Sequence, residues 1–162
     1  MKGLCEGKTK ELASAANVVR YVGGSQYDHA TGILNGEAFI RPLKDIDGMS
    51  FTQRLIFSTN SEDDKNEIRR VFASRMNVGK TAIFAELNVE KALTALAQFE
   101  EEFHFLADPL PLDGSKLANP AHSLLIGLPF AGEAVGSLKS ELAGDFIRKT
   151  VHGKFSAVFP QN

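Results

Sequence analysis

Between Pro120 and Pro129 lies a short apolar stretch that opens on His122 and runs through Leu124, Leu125 and Ile126 to Gly127. Proline lacks a backbone donor and fixes its own φ, so regular pairing stops at each end and the stretch is confined to one short element. Consecutive apolar residues without polar alternation read as a buried strand, not a half-solvated one. A buried strand needs cover, so the chain is expected to form a mixed α and β domain with a histidine at the rim of its sheet.

The 162 residues fit one domain with a single core. The 43% hydrophobic and 23% charged content are those of a folded globular protein, far from the compositions that remain disordered. Twelve Phe against two Tyr and no Trp place most of the aromatic volume in side chains without a hydrogen-bonding handle, which favours packing over recognition. The formal charge of −2 gives no strong overall attraction for a polyanion, so nucleic acid would need a local patch. Cys5 is the sole cysteine, which excludes an intrachain disulfide framework and an all-cysteine metal site. No apolar leader or run of 18 uncharged apolar residues is present. A cytoplasmic, membrane-free protein is the expectation.

The periodicities predict an α+β domain spanning 17–160, a mixed or antiparallel sheet covered by two main amphipathic helices, after a weakly ordered end at 1–16 with a two-turn helix at 8–16. Strands are expected at 18–22, 49–58, 78–87, 103–106 and 155–159, the last at an edge. Asn35-Gly36 predicts a type I′ hairpin. Ser61 followed by Asp64 predicts a helix N-terminus with Ile68, Val71, Phe72 and Met76 inward and Lys65, Glu67, Arg69 and Arg70 outward. Asn88 predicts the cap of a second helix bearing Ala92, Leu93 and Leu96. A long helix over 133–151 is expected to bury Val135, Leu138, Leu142, Phe146 and Thr150.

Sites with chemical meaning are few. Val78-Gly79-Lys80-Thr81 has the ending of a phosphate-binding loop, but its partner glycine position holds Ser74 and the strand-loop-helix order is reversed, so it reads as a helix-to-strand turn. His29, His104, His122 and His152 form no metal-binding spacing, and no cofactor or metal is indicated. Asp63-Asp64 and Glu100 to Glu102 read as solvated helix faces. His122 is the best proton carrier, at a strand mouth where ligands meet sheets, with Ser50 to orient it. Arg41 and Arg54 could form an anion site if the segments flanking Asp47-Gly48 make a hairpin, and Arg75 offers another donor fork.

The phrases Ala38-Phe39-Ile40-Arg41-Pro42 with Asp47-Gly48-Met49-Ser50, then Asn77-Val78-Gly79, then Pro120-Ala121-His122 with Ile126-Gly127-Leu128-Pro129, together resemble a group of small bacterial proteins. The resemblance spans about 36–147 and implies a bacterial, soluble, single-domain protein, with attention on Arg41, Ser50 and His122; it implies no activity. Two functions stay open. One is an interaction module that binds a partner protein or an anionic ligand without catalysis. The other is a small enzyme acting on nucleotides or nucleic acid, with a nucleotide or RNA as its partner, of the toxin or phage-defence type, with Arg41 and Arg54 on phosphate and His122 as acid or base. Convergence of Arg41, Ser50 and His122 on one cleft would favour the enzyme, and an exposed apolar patch the module.

Overall fold

The computed structural model describes residues 10–39, 48–127 and 136–160, without side-chain detail at 36, 37 and 136–140. Six strands form one antiparallel sheet: β1 (Asn17–Val22), β4 (Met49–Gln53), β5 (Ile83–Asn88), β6 (His104–Ala107), β7 (His122–Ile126) and β8 (Val151–Ser156), in the order β6-β7-β4-β1-β5-β8. A small hairpin of β2 (Tyr27–Asp28) and β3 (Ile33–Leu34) stands apart from it. Three helices complete this single α+β domain: α1 (Ser61–Arg75), α2 (Val89–Leu96) and α3 (Gly136–Arg148). The main pair is α1 and α3.

Strand alternation divides the core in two. On one face Val18, Val22, Ile83, Ala85 and Leu87 pack with Ala92 and Leu96 of α2 and Ala143 and Ile147 of α3. On the other, Val19 and Phe84 pack with Ile68 and Phe72 of α1. The sheet is thus the middle of three layers, which is why β5 and β7 read as near-continuous apolar runs. In β7, Ser123, Leu124 and Leu125 are all buried. Gly127 ends the strand at φ +106, where a Cβ would stand 2.3 Å from the Glu102 carbonyl oxygen, so no larger residue fits this close crossing.

Several local expectations are corrected. Residues 10–16 hold no helix. Instead Leu12 N–H donates to Phe105 O and Ala107 N–H to Lys10 O, laying 10–12 along the outer edge of β6. Asn35-Gly36 is no hairpin turn: the hairpin turns between Asp28 and Ile33, where the Asp28 carboxylate accepts Ala30 N–H and Gly32 has φ +71. Asn35 closes the hairpin by donating to Gln26 O, and a 3₁₀ turn follows at Gly36–Phe39.

The α1 cap is Asn60 and not Ser61, its side chain accepting from Asp63 N–H at 3.0 Å. Asn88 caps α2 as expected, accepting from Lys91 N–H. Removing the Asn88 cap with alanine should cost about 1 kcal/mol, read as a shift in urea midpoint, with Asn88→Asp retaining most of the stability.

The helix expected over 133–151 is α3, which ends at Arg148 before β8 begins, while the expected first residues 133–135, Val135 among them, lie outside the described residues. Its buried side is Ala143, Gly144 and Ile147, while Leu142 is exposed. The small residues let α3 lie close to the Gly36–Phe39 turn and α2. The last edge strand is Val151–Ser156, earlier than the expected 155–159.

Candidate functional site

His122 opens β7 directly opposite Thr52 of β4, and Ser50 lies two residues along the same strand, so all three side chains share one face of the sheet. They line a hollow of about 220 Å³, floored by Val19 and Tyr21 and walled by Phe72 and Met76 of α1. Met76, expected inside the core, is 39% exposed because the helix ends there.

The ring of His122 is oriented by a residue outside the sequence motif. Its Nδ1 lies 2.9 Å from the Asp108 backbone oxygen and 3.2 Å from the Asp108 carboxylate, while Asp108 N–H donates back to His122 O. Both groups at Nδ1 are acceptors, so that nitrogen carries the proton and Nε2 is the basic one. Burial pushes the His122 pKa below 6.5, with the Asp108 oxygens pulling the other way.

A depressed histidine destabilises the fold on protonation. Above pH 6.5 the ring is neutral in both states and has no effect. As the pH falls below 6.5 the unfolded chain takes up the proton first, and stability declines until the folded pKa is passed. The wild type should therefore lose urea stability between pH 7.5 and pH values below 6.5 more steeply than His122→Gln; equal slopes would show that this ring is not the titrating group.

Around the hollow the other polar groups are already engaged. Thr52 Oγ1 accepts from Asn119 Nδ2 at 3.3 Å, and Tyr21 Oη accepts from Gly79 N–H at 2.9 Å. Arg20 points to the other face of the sheet, where it donates to Ala38 O and Ser50 O and lies over the Phe51 ring. Arg75 donates to Leu117 O and Pro111 O, fastening the loop before β7 to the end of α1. Asp108 was missed in the sequence, which carries no signal for it, since only the folding back of the following loop brings it to His122.

The anion fork expected of Arg54 lies elsewhere. Its guanidinium bonds the Asp64 carboxylate, Glu86 Oε1 at 2.9 Å and Ser61 Oγ at 2.8 Å, and stacks over Phe155. Asp64, expected on a solvated face, is fully buried and also accepts from Leu55 N–H and Phe57 N–H. Arg69, expected outward, is buried and donates to Ser156 O. Arg41, and with it the Arg41–Arg54 hairpin, lies outside the described residues. The structure therefore brings Ser50 and His122 to one hollow and leaves Arg54 away from it.

A second polar region surrounds β8. Two hollows of about 360 Å³ each meet at Lys154. One reaches His152, Arg148 and the exposed Ile33; the other reaches Lys80 and His29, and neither is lined by an Asp or Glu. The turn at Lys80-Thr81 joins α1 to β5, with His29 Nε2 on Thr81 O, and holds no phosphate-loop geometry.

Among the described residues no three His, Cys, Asp or Glu side chains are grouped to hold a metal ion, and no helix is long and apolar enough to cross a membrane. No family model matches the chain, and neither a curated protein nor a solved structure is similar to it.

Proposed function

We propose that this protein is an interaction module whose contact surface is the margin of the sheet around β8, a role that requires no catalysis. The observation that carries this reading is the cationic rim at Lys154. Lys80 and Lys154 make no ion pair with any described residue, in a chain whose formal charge is −2. An unbalanced local charge on a chain without net positive charge marks a place for an anionic partner.

The His122 hollow supports the enzyme reading less well. Its volume of about 220 Å³ is under the roughly 300 Å³ at which ligand sites begin, too little to enclose a nucleotide. Arg54, named for phosphate, does not line it. Exposed apolar side chains are spread over the surface, with Leu55 and Ile56 adjacent and Phe159 the one strongly exposed phenylalanine among the described residues. The partner is therefore held through charge and backbone more than through an aromatic patch.

Capture from a lysate of the source cells, with wild type and the Lys80→Glu/Lys154→Glu double variant side by side, tests the reading. A protein bound near one to one by the wild type and lost by the variant is expected. A nucleotide or RNA held equally by both, and released by His122→Ala, would move the function to the hollow and end the module reading.

A further inference from the structure

We infer that β8 receives an acidic, extended segment of a partner protein as a seventh strand of the sheet, a reading that rests on the module function above. The sheet order ends at β8, so one side of this strand pairs with β5 and the other has no strand neighbour among the described residues. Ala157 N–H donates to Ala82 O at 2.9 Å. By the two-residue alternation of a strand, the backbone groups of Phe155 and Gly153 then face β5, while those of Lys154 and Ser156 face outward. Ser156 O is met by Arg69 Nε. Lys154 presents both an amide donor and a carbonyl acceptor, which is the pair an added strand uses.

The surroundings select the charge of that strand. Lys154 reaches over the Tyr27 ring on one face of the sheet, with Lys80 in the adjoining hollow. On the other face Lys65 and Arg69 lie over Phe155, with Lys65 paired to the exposed Glu62 at 3.1 Å. Arg148 and Lys149 share Asp145, and Glu86 is held by Arg54 and faces His152 at 3.9 Å, so the nearby carboxylates are already paired. Side chains of an added strand alternate between the two faces and would meet cations on both. Exposed Ile33 and half-buried Val151 give its apolar positions a place to rest.

A second copy of this chain is a poorer occupant, because pairing β8 with itself sets Lys154 against the same rim. Like charges placed opposite each other across a strand pair are unfavourable. A partner with alternating Glu and apolar residues meets both conditions at once.

The test uses the full chain and a fluorescent ten-residue peptide alternating Glu with Val, followed by anisotropy. Beside it are the same peptide N-methylated at every second amide in each of the two registers, a Lys-for-Glu version and a single-stranded RNA of equal charge. Saturable binding is expected, weakened about fivefold or more by methylation in one register only, since the peptide amide that faces Lys154 O can then no longer donate. Lys154→Glu is expected to weaken it about fivefold or more. Circular dichroism checks that the variant is folded, and the exposed position of Lys154 makes that expected.

Equal binding of both methylated peptides, or of the RNA, would overturn strand addition and leave only a charged patch. Concentration-dependent dimerisation abolished by Lys154→Glu would overturn it in favour of a second copy. If the peptide fails to bind while the lysate partner is still lost with Lys80→Glu/Lys154→Glu, strand addition fails and the module reading stands. If neither peptide nor protein is bound, both fall.

Discussion

Asp64→Ala should lower the stability of the fold by about 3–5 kcal/mol, the range for removing one partner of a buried ion pair. The Asp64 side chain is fully buried and that of Arg54 is 6% exposed, so removal of the carboxylate leaves a guanidinium with little access to water and Glu86 as its one carboxylate partner among the described residues. The same carboxylate accepts from the amides of Leu55 and Phe57, and Leu55 has φ +62, a conformation that costs a side chain about 1–2 kcal/mol and must be held in place. Urea unfolding with an unchanged m-value is the measurement. Replacing all three charges, as Arg54→Met with Asp64→Leu and Glu86→Gln, should restore part of the loss, because no charge of the network is then left without its partner, though two amides remain unmet. A single variant within 1 kcal/mol of wild type would show that water reaches this network.

Phe84→Ala is expected to cost about 3–5 kcal/mol as well, through the cavity it leaves. The Phe84 ring is fully buried, with its centre 4.8 Å from that of Phe72, 5.2 Å from Phe155 and 6.0 Å from Tyr21. It joins α1 to three strands, so its loss loosens the helix from the sheet. Phe84→Leu should recover part of the effect, since most of the volume returns and the aromatic pairing, about 0.5–1.5 kcal/mol per pair, is what stays missing. Equal losses for the two variants would mean that ring geometry, and not volume, holds the helix.

How much of this was readable beforehand follows from which forces are local. The buried strand at His122, the Asn88 cap and the amphipathic Ile68, Val71 and Phe72 depend on spacing along the chain, and each stands where it was expected. The α1 cap slid by one because Asn60 and Ser61 are both competent and only backbone geometry chooses between them. Asp64 looked like a carboxylate placed to suit the helix dipole. Its burial arises because residues 54–57 fold back over it, a tertiary event with no sequence period. The Asp108 partnership with His122 is of the same kind, created when the loop between them closes through paired Leu110 and Asn119. Lys154 belongs to a strand whose onset was read as the end of a helix, so its place at the rim stayed hidden.

The three-residue segment laid against β6 has a consequence for assembly. Phe105 O and Ala107 N–H already have their partners in Leu12 and Lys10, so a strand approaching β6 would first have to displace the chain's own backbone, whereas β8 has no such cover among the described residues. The two margins of the sheet are thus unequal, which disfavours the repeated edge-to-edge stacking that builds filaments.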